Sequence, residues 1–173
     1  MSPIFTVGHS TRTLAELLDL LQEHGVRELV DVRRYPSSRR HPHFHGAALA
    51  AALRAAGLAY RHEPDLGGHR QPLPDSPNRA WRSEALRGYA DHMLTPAFQA
   101  ALDRLRAAGE GVAVMCAEAD PERCHRQLLA DALLAGGRPV LHILGPGRAQ
   151  PHALTNTARP TLDGALLYPP RGW

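Results

Sequence analysis

The chain of 173 residues contains no lysine, and all twenty of its basic side chains are arginine. It has only two cysteines, and aromatic residues make up 5% of it. Each shortage excludes something. Two cysteines cannot build the disulfide framework of a small secreted domain, and a chain of this length buries an ordinary core without covalent staples. No apolar run approaches the roughly 20 residues that span a bilayer. The amino end has no charged, apolar, small-residue leader. A cytoplasmic protein with reduced thiols and no membrane contact is expected. Scarce aromatics argue against extensive stacking on single-stranded nucleic acid. Internal repeats and low-complexity tracts are also missing.

The net charge is +3 and the pI about 9.3. Heavy use of Ala, Arg, Gly, Pro and Leu points to a coding bias behind part of the arginine content. The chemistry of arginine still matters, because its planar fork suits bidentate binding of phosphate and carboxylate. The mild positive balance is compatible with nucleic acid or a phosphorylated ligand without requiring either.

What the chain does contain is an alternation of short apolar runs and amphipathic stretches. "PIFTVGHS" reads as a strand ending at Gly8. Thr11 or Thr13 then caps "LAELLDLLQEHG", whose Leu14, Leu17, Leu18 and Leu21 share one helical face, with Gly25 as the stop. "RELVDVRR" is a second strand, so strand, helix and strand within about thirty residues form a βαβ unit with parallel strands. "AALAAALRAAG" is a helix and "LAYRHEPDLGG" a strand that runs into a glycine turn. "HRQPLPDSPN" is irregular. "EALRGYADHMLTPAFQAALDRLRAAGEG" reads as helix, a break at Thr95-Pro96, and helix again. Val112 to Met115 is a buried strand, Gln127 onward a helix ending at Gly136 and Gly137, and "RPVLHILG" the last strand. The pattern predicts a single-domain α/β layered sandwich over residues 1–145, with a mainly parallel sheet flanked by helices. Residues 146–173 are expected to form an irregular tail packed on the same domain.

In such sheets ligands bind beyond the carboxyl ends of the strands, and the polar residues collect there. After the first strand come Gly8, His9 and Ser10. After the second come Asp31 and Arg33, followed across a polar loop by Ser38 and Arg39. After the fourth come Cys116 and Glu118, with Cys124, His125 and Arg126 at the next helix start. Gly8 to Ser10 leads toward a helix N-terminus, whose free N–H groups favour an anion, although a plain capping turn reads equally well. Asp31, at the end of a buried strand, needs a partner, which Arg33 or Arg126 could provide, and an arginine fork here could instead hold phosphate bidentately.

A cysteine between strand and helix is similar to the phosphatase and rhodanese arrangement. Glu118 and Asp120 in the same loop oppose it, because carboxylates repel phosphate and raise a thiol pKa. Cys116 is therefore read first as a buried thiol, while Cys124, in the first helical turn, occupies a position that lowers a thiol pKa. Glu118 is the freer candidate for acid–base or nucleophilic work, if burial raises its pKa. Asp120 and Pro121 fit the N-cap and N1 positions of a helix. His41, His43 and His45 alternate in "HPHFH", yet no metal-ligand spacing accompanies them, so no metal or other cofactor is assigned.

Together, "TVGHST", "LVDVRRYPSSR", "LGG" at 66–68, "MCAEADPERCHR", "YADHMLTPAF" and "ALLYP" resemble the "domain of unknown function 488" family. The resemblance implies one α/β domain. It implies that His9, Ser10, Asp31, Arg33, Ser38, Arg39, Cys116, Glu118, Cys124, His125 and Arg126 are family hallmarks, and it implies no activity.

The functional expectation is an enzyme acting on a phosphate-bearing nucleotide or nucleic acid, hydrolytic, with N-glycosidic cleavage preferred. Glu118, His125 and Cys116 are its catalytic candidates. Gly8, His9, Ser10, Asp31, Arg33, Ser38, Arg39 and Arg126 are its anion-binding candidates. The alternatives are a non-catalytic nucleotide or nucleic-acid binding module, and a thiol- or metal-dependent redox protein using Cys116 and Cys124. The last turns on whether the two sulfurs approach within disulfide range.

Overall fold

The computed structural model describes residues 1–171. Its centre is a six-stranded sheet built from β1 (Ile4–Gly8), β2 (Glu28–Asp31), β3 (Ala59–His62), β4 (Val112–Cys116), β5 (Val140–Gly145) and β6 (Arg148–Pro151). The strand order is β3-β2-β4-β1-β5-β6, with the first five strands parallel and β6 antiparallel to β5. Every residue of β4 is buried, as expected for a central strand covered on both faces. β1 and β2 are parallel as the βαβ reading requires, but β4 lies between them.

The helices are α1 (Leu14–Glu23), α2 (Gly46–Ala55), α3 (Glu84–His92), α4 (Pro96–Arg106) and α5 (Arg126–Ala135). Thr13, not Thr11, caps α1 through a reciprocal box with Glu16, a device that satisfies two orphan N–H groups. Thr95 caps α4, with Pro96 in its first turn. Side chains of α1 and α2 form one core with Val7, Leu29, Ala113 and Met115. Those of α3, α4 and α5 form a second with Ile4, Val30, Val114 and Cys116. Because side chains alternate along a strand, β4 sends Ala113 and Met115 to the first layer and Cys116 to the second. That parity places the Cys116 thiol on the α5 side of the sheet.

The carboxyl-terminal segment departs from the irregular tail expected. Gly147, at φ +67, turns the chain into β6, and β7 (Arg159–Pro160) pairs with β8 (Leu166–Leu167) as a separate two-stranded ribbon. All four residues of β6 are exposed, so this edge strand carries no apolar alternation to read, and an edge tolerates Pro151. Leu166 and Tyr168 are buried in the α3–α5 layer. Residues 172 and 173 of the expected tail lie outside the described residues.

Candidate functional site

The three polar strand ends meet as the strand-end argument requires. Gly8 is in register with Cys116, and Asp31 with Met115, on the adjacent strands β1, β4 and β2. What the groups do there differs from one to the next.

Gly8, His9 and Ser10 do not form an anion cradle. The His9 amide donates to the Cys116 carbonyl at 3.0 Å and the Ser10 amide to the Ala117 carbonyl at 2.9 Å. Helix α1 begins only at Leu14, behind its own cap. Gly8 is required because the chain after β4 crosses it: a Cβ there would lie 1.8 Å from the Glu118 carbonyl oxygen. The buried His9 ring donates from Nδ1 to the Ser10 carbonyl at 3.0 Å, leaving Nε2 to face Arg33 Nη1 at 3.5 Å. Burial, with the neighbouring Arg33 charge, lowers its pKa to about 4 against the pull of that carbonyl.

Asp31 finds its partner in Arg33. The guanidinium is bidentate, with Nε 2.9 Å from Oδ1 and Nη2 2.7 Å from Oδ2. The Tyr60 hydroxyl donates a further bond of 2.6 Å. The side chain of Arg33 still lines the cavity described below, but its fork is engaged.

Arg126 is also no anion ligand. It is fully buried and donates to the carbonyls of Glu118 and Ala119 at 2.7 and 3.1 Å and to Thr6 Oγ1 at 3.1 Å. Since α5 starts at Arg126, the side chain runs beneath the loop that precedes the helix. Ser38 Oγ accepts from the His41 amide at 3.1 Å, and Arg39 is exposed. Neither Ser38 nor Arg39 lines the cavity.

Glu118 borders the cavity, but its side chain is exposed rather than desolvated. Its carbonyl, not its carboxylate, is what the neighbouring groups hold. Asp120 accepts from the Glu122 amide at 2.9 Å and caps a 3-10 turn over Pro121–Arg123, so the capping expected there serves that turn instead of α5.

The two cysteines come together. Their sulfurs are 2.7 Å apart as free thiols. Cys124 Sγ is 3.5 Å from His125 Nδ1. The opposite nitrogen of that ring, Nε2, donates to the Val32 carbonyl at 2.9 Å. This donation fixes the tautomer, so Nδ1 is the atom that can take a proton from Cys124 or donate to its thiolate. The two thiols are pushed apart in acidity. Burial raises Cys116, which also donates to its partner. The bond received from Cys116, followed by the charges of His125 and Arg126, lowers Cys124 well below an ordinary thiol despite its burial.

Both thiols open into a cavity of about 370 Å³, walled also by His125, Arg33, Arg34 and Arg123. Arg34 was not expected here, nor were Tyr35 and His69 at the same cavity. Arg34 Nη1 donates to the His69 carbonyl at 2.6 Å, and its guanidinium lies 5.3 Å from the centre of the exposed Tyr35 ring. The "LGG" turn was the available signal. A Cβ at Gly67 would lie 2.4 Å from the Arg34 nitrogen, and one at Gly68 would lie 3.1 Å from His125 Nδ1. These glycines let the turn close over the site.

His43 Nε2 donates to the Arg12 carbonyl at 3.1 Å. Among the described residues, no three His, Cys, Asp or Glu side chains are grouped to hold a metal ion. No helix among them is long and apolar enough to cross a membrane.

Fold and site together define a single α/β domain with a dithiol at the carboxyl end of its central strand. The family described as domain of unknown function DUF488 matches residues 13–133, and the chain belongs to that family. The match takes in both cysteines and the Asp31–Arg33 pair, and leaves out the Gly8–Ser10 turn. No curated protein and no solved structure matches the chain.

Proposed function

We propose that the protein is a dithiol enzyme that reduces an anionic disulfide substrate, with Cys124 as nucleophile and Cys116 as resolving thiol. The observation that carries this reading is the 2.7 Å approach of the two sulfurs beside His125. The Cys124 thiolate attacks one substrate sulfur, and the other leaves as a thiolate that takes up a proton. Cys116 then gives up its proton and attacks Cys124 Sγ. The Cys116–Cys124 disulfide forms, the mixed disulfide breaks, and the second substrate thiol departs. Two electrons pass from the protein to the substrate, and an external dithiol reductant returns them. A reducing, cytoplasmic setting suits that cycle. With Arg33 held by Asp31, Arg34 and Arg123 stand against one glutamate around the cavity, a balance that favours an anionic substrate.

The hydrolytic reading shares this cavity. There Glu118 would be nucleophile or general base toward an N-glycosidic bond, with the arginines on a nucleotide phosphate, and the exposed Tyr35 would offer one stacking surface. It is the second reading because the Glu118 carboxylate is exposed, so burial does not tune it for catalysis.

Incubation of the reduced protein with oxidised glutathione, a disulfide carrying four carboxylates, tests the proposal. Mass spectrometry should find the Cys116–Cys124 disulfide in the parent protein and a stable mixed disulfide on Cys124 in Cys116→Ser. Cys124→Ser should form neither. Equal modification of both thiols in the parent, with no intramolecular bond, would overturn the assignment.

A further inference from the structure

Behind the cysteine loop lies a chain of buried polar side chains that the exchange steps do not use. Asp131 of α5 accepts from His152 Nε2 at 2.7 Å. His152 Nδ1 lies 2.9 Å from His142 Nε2, and His142 Nδ1 lies 2.6 Å from Thr6 Oγ1. Thr6 Oγ1 in turn accepts from Arg126 Nη1 at 3.1 Å. All five residues are buried.

The direction of every bond follows from its ends. The Asp131 carboxylate accepts from His152 Nε2, and a guanidinium only donates, so Thr6 Oγ1 accepts from Arg126 and gives its own proton to His142 Nδ1. His142 is neutral, since burial together with the neighbouring His152 and Arg126 lowers it to about 4. Accepting at Nδ1, it must then donate from Nε2 to His152. The buried Asp131 and Arg126 side chains are thus joined head to tail through His152, His142 and Thr6. Burying two charges this way is no route to stability compared with apolar packing, so the arrangement calls for another use.

That use is visible at the Arg126 end. Its other terminal nitrogen holds the Glu118 and Ala119 carbonyls, which belong to the loop joining the two cysteines. The Glu118 carbonyl also lies 3.6 Å from Cys116 Sγ. We propose that Asp131, His152, His142 and Thr6 are positioning residues of the dithiol site. They hold the Arg126 guanidinium beneath the loop, and so set the sulfur–sulfur approach and the distance of that charge from Cys124. The inference rests on the dithiol reading above.

Thr6→Val tests it, since valine keeps the shape and removes the hydroxyl that both His142 and Arg126 need. The readout is the rate of Cys124 alkylation by iodoacetamide against pH, followed by mass spectrometry. The charged or titratable groups facing Cys124 are Cys116 from β4, His125 and Arg126 from α5, and Tyr89 from α3. Arg33, Arg34, Arg123 and Glu118 stand around the shared cavity, and all are retained in the variant. The midpoint should rise by about one pH unit, a roughly tenfold loss of rate at acid pH, and Thr6→Ser should restore it. Asp131→Asn, which removes the charge with little change of shape, should move the midpoint in the same direction and serves if Thr6→Val does not fold. A lower melting temperature with an unmoved alkylation profile would overturn the inference, leaving the chain purely structural. A parent protein whose Cys124 alkylates only at alkaline pH would overturn the dithiol reading as well.

Discussion

Two buried acid–arginine partnerships stand at opposite sides of the cysteine loop, and they are built in contrasting ways. Asp31 and Arg33 are two residues apart at the end of one strand and meet directly, at 2.9 and 2.7 Å. Asp131 and Arg126 share a helix, yet communicate only through His152, His142 and Thr6, which come from the segment after β6, from β5 and from β1. The direct pair is self-sufficient: its carboxylate also accepts from Tyr60 and from the Arg33 amide, so it locks one strand end. The indirect pair requires several elements to be in place together, and its cation holds a loop instead of a carboxylate. The first is a local clamp. The second makes the seat of the thiols depend on the closure of the whole sheet.

Breaking the direct pair should have the largest effect on stability. Asp31→Ala leaves the buried Arg33 without its carboxylate and Tyr60 without its acceptor, at a cost of about 3–5 kcal/mol in urea unfolding. Replacing both partners with apolar residues, as in Asp31→Leu with Arg33→Met, should recover most of that loss, because neither charge then remains buried and unpaired. If the double variant is as unstable as the single one, the clamp picture fails.

Acid should expose the indirect pair next. In the folded protein His9 and His142 are lowered to about 4 from 6.5, both chiefly by burial, and His92 is lowered in the same sense. Between pH 6.5 and 4 the unfolded chain therefore binds more protons than the folded one, and stability falls as pH drops through that window. Protonated His142 would present N–H toward Thr6 and reverse the bond order of the chain. Urea midpoints measured at pH 7, 5.5 and 4.5 should decline in that order. A flat series would mean that these rings titrate alike in the folded and the unfolded chain.

The same contrast explains what could be read from the sequence. Short-range patterns were legible. The five parallel strands, the helix breaks and the α1 cap all lie within a few residues of their cause, and the Asp31–Arg33 pair was one of the readings open for those two residues. The crowding of both cysteines into the β4–α5 turn was legible too, and it marked the site. Tertiary destinations were not. Nothing near Gly8 says that the His9 and Ser10 amides are claimed by the carbonyls of Cys116 and Ala117. An arginine at a helix start reads as an anion ligand until the fold shows it buried beneath the loop. Edge strand β6, with every residue exposed, has no periodicity to betray it, and the insertion of β4 between β1 and β2 depends on pairing across long stretches of chain.

The smallest expected effect belongs to Glu118, and it separates the two readings of the cavity. Its carboxylate is exposed while its carbonyl is bound by Arg126. Glu118→Gln keeps that carbonyl and the shape of the side chain, so stability should change by no more than about 0.5 kcal/mol, as for an ordinary surface substitution. Reduction of oxidised glutathione should continue, and removing one negative charge from a cavity walled by arginines should favour an anionic substrate, which would appear as a lower KM with little change in kcat. Under the hydrolytic reading the same variant loses its nucleophile or base, and Cys116→Ser and Cys124→Ser stay active. Assayed against disulfide and nucleotide substrates side by side, an inactive Glu118→Gln with active serine variants would transfer the chemistry from the thiols to the carboxylate.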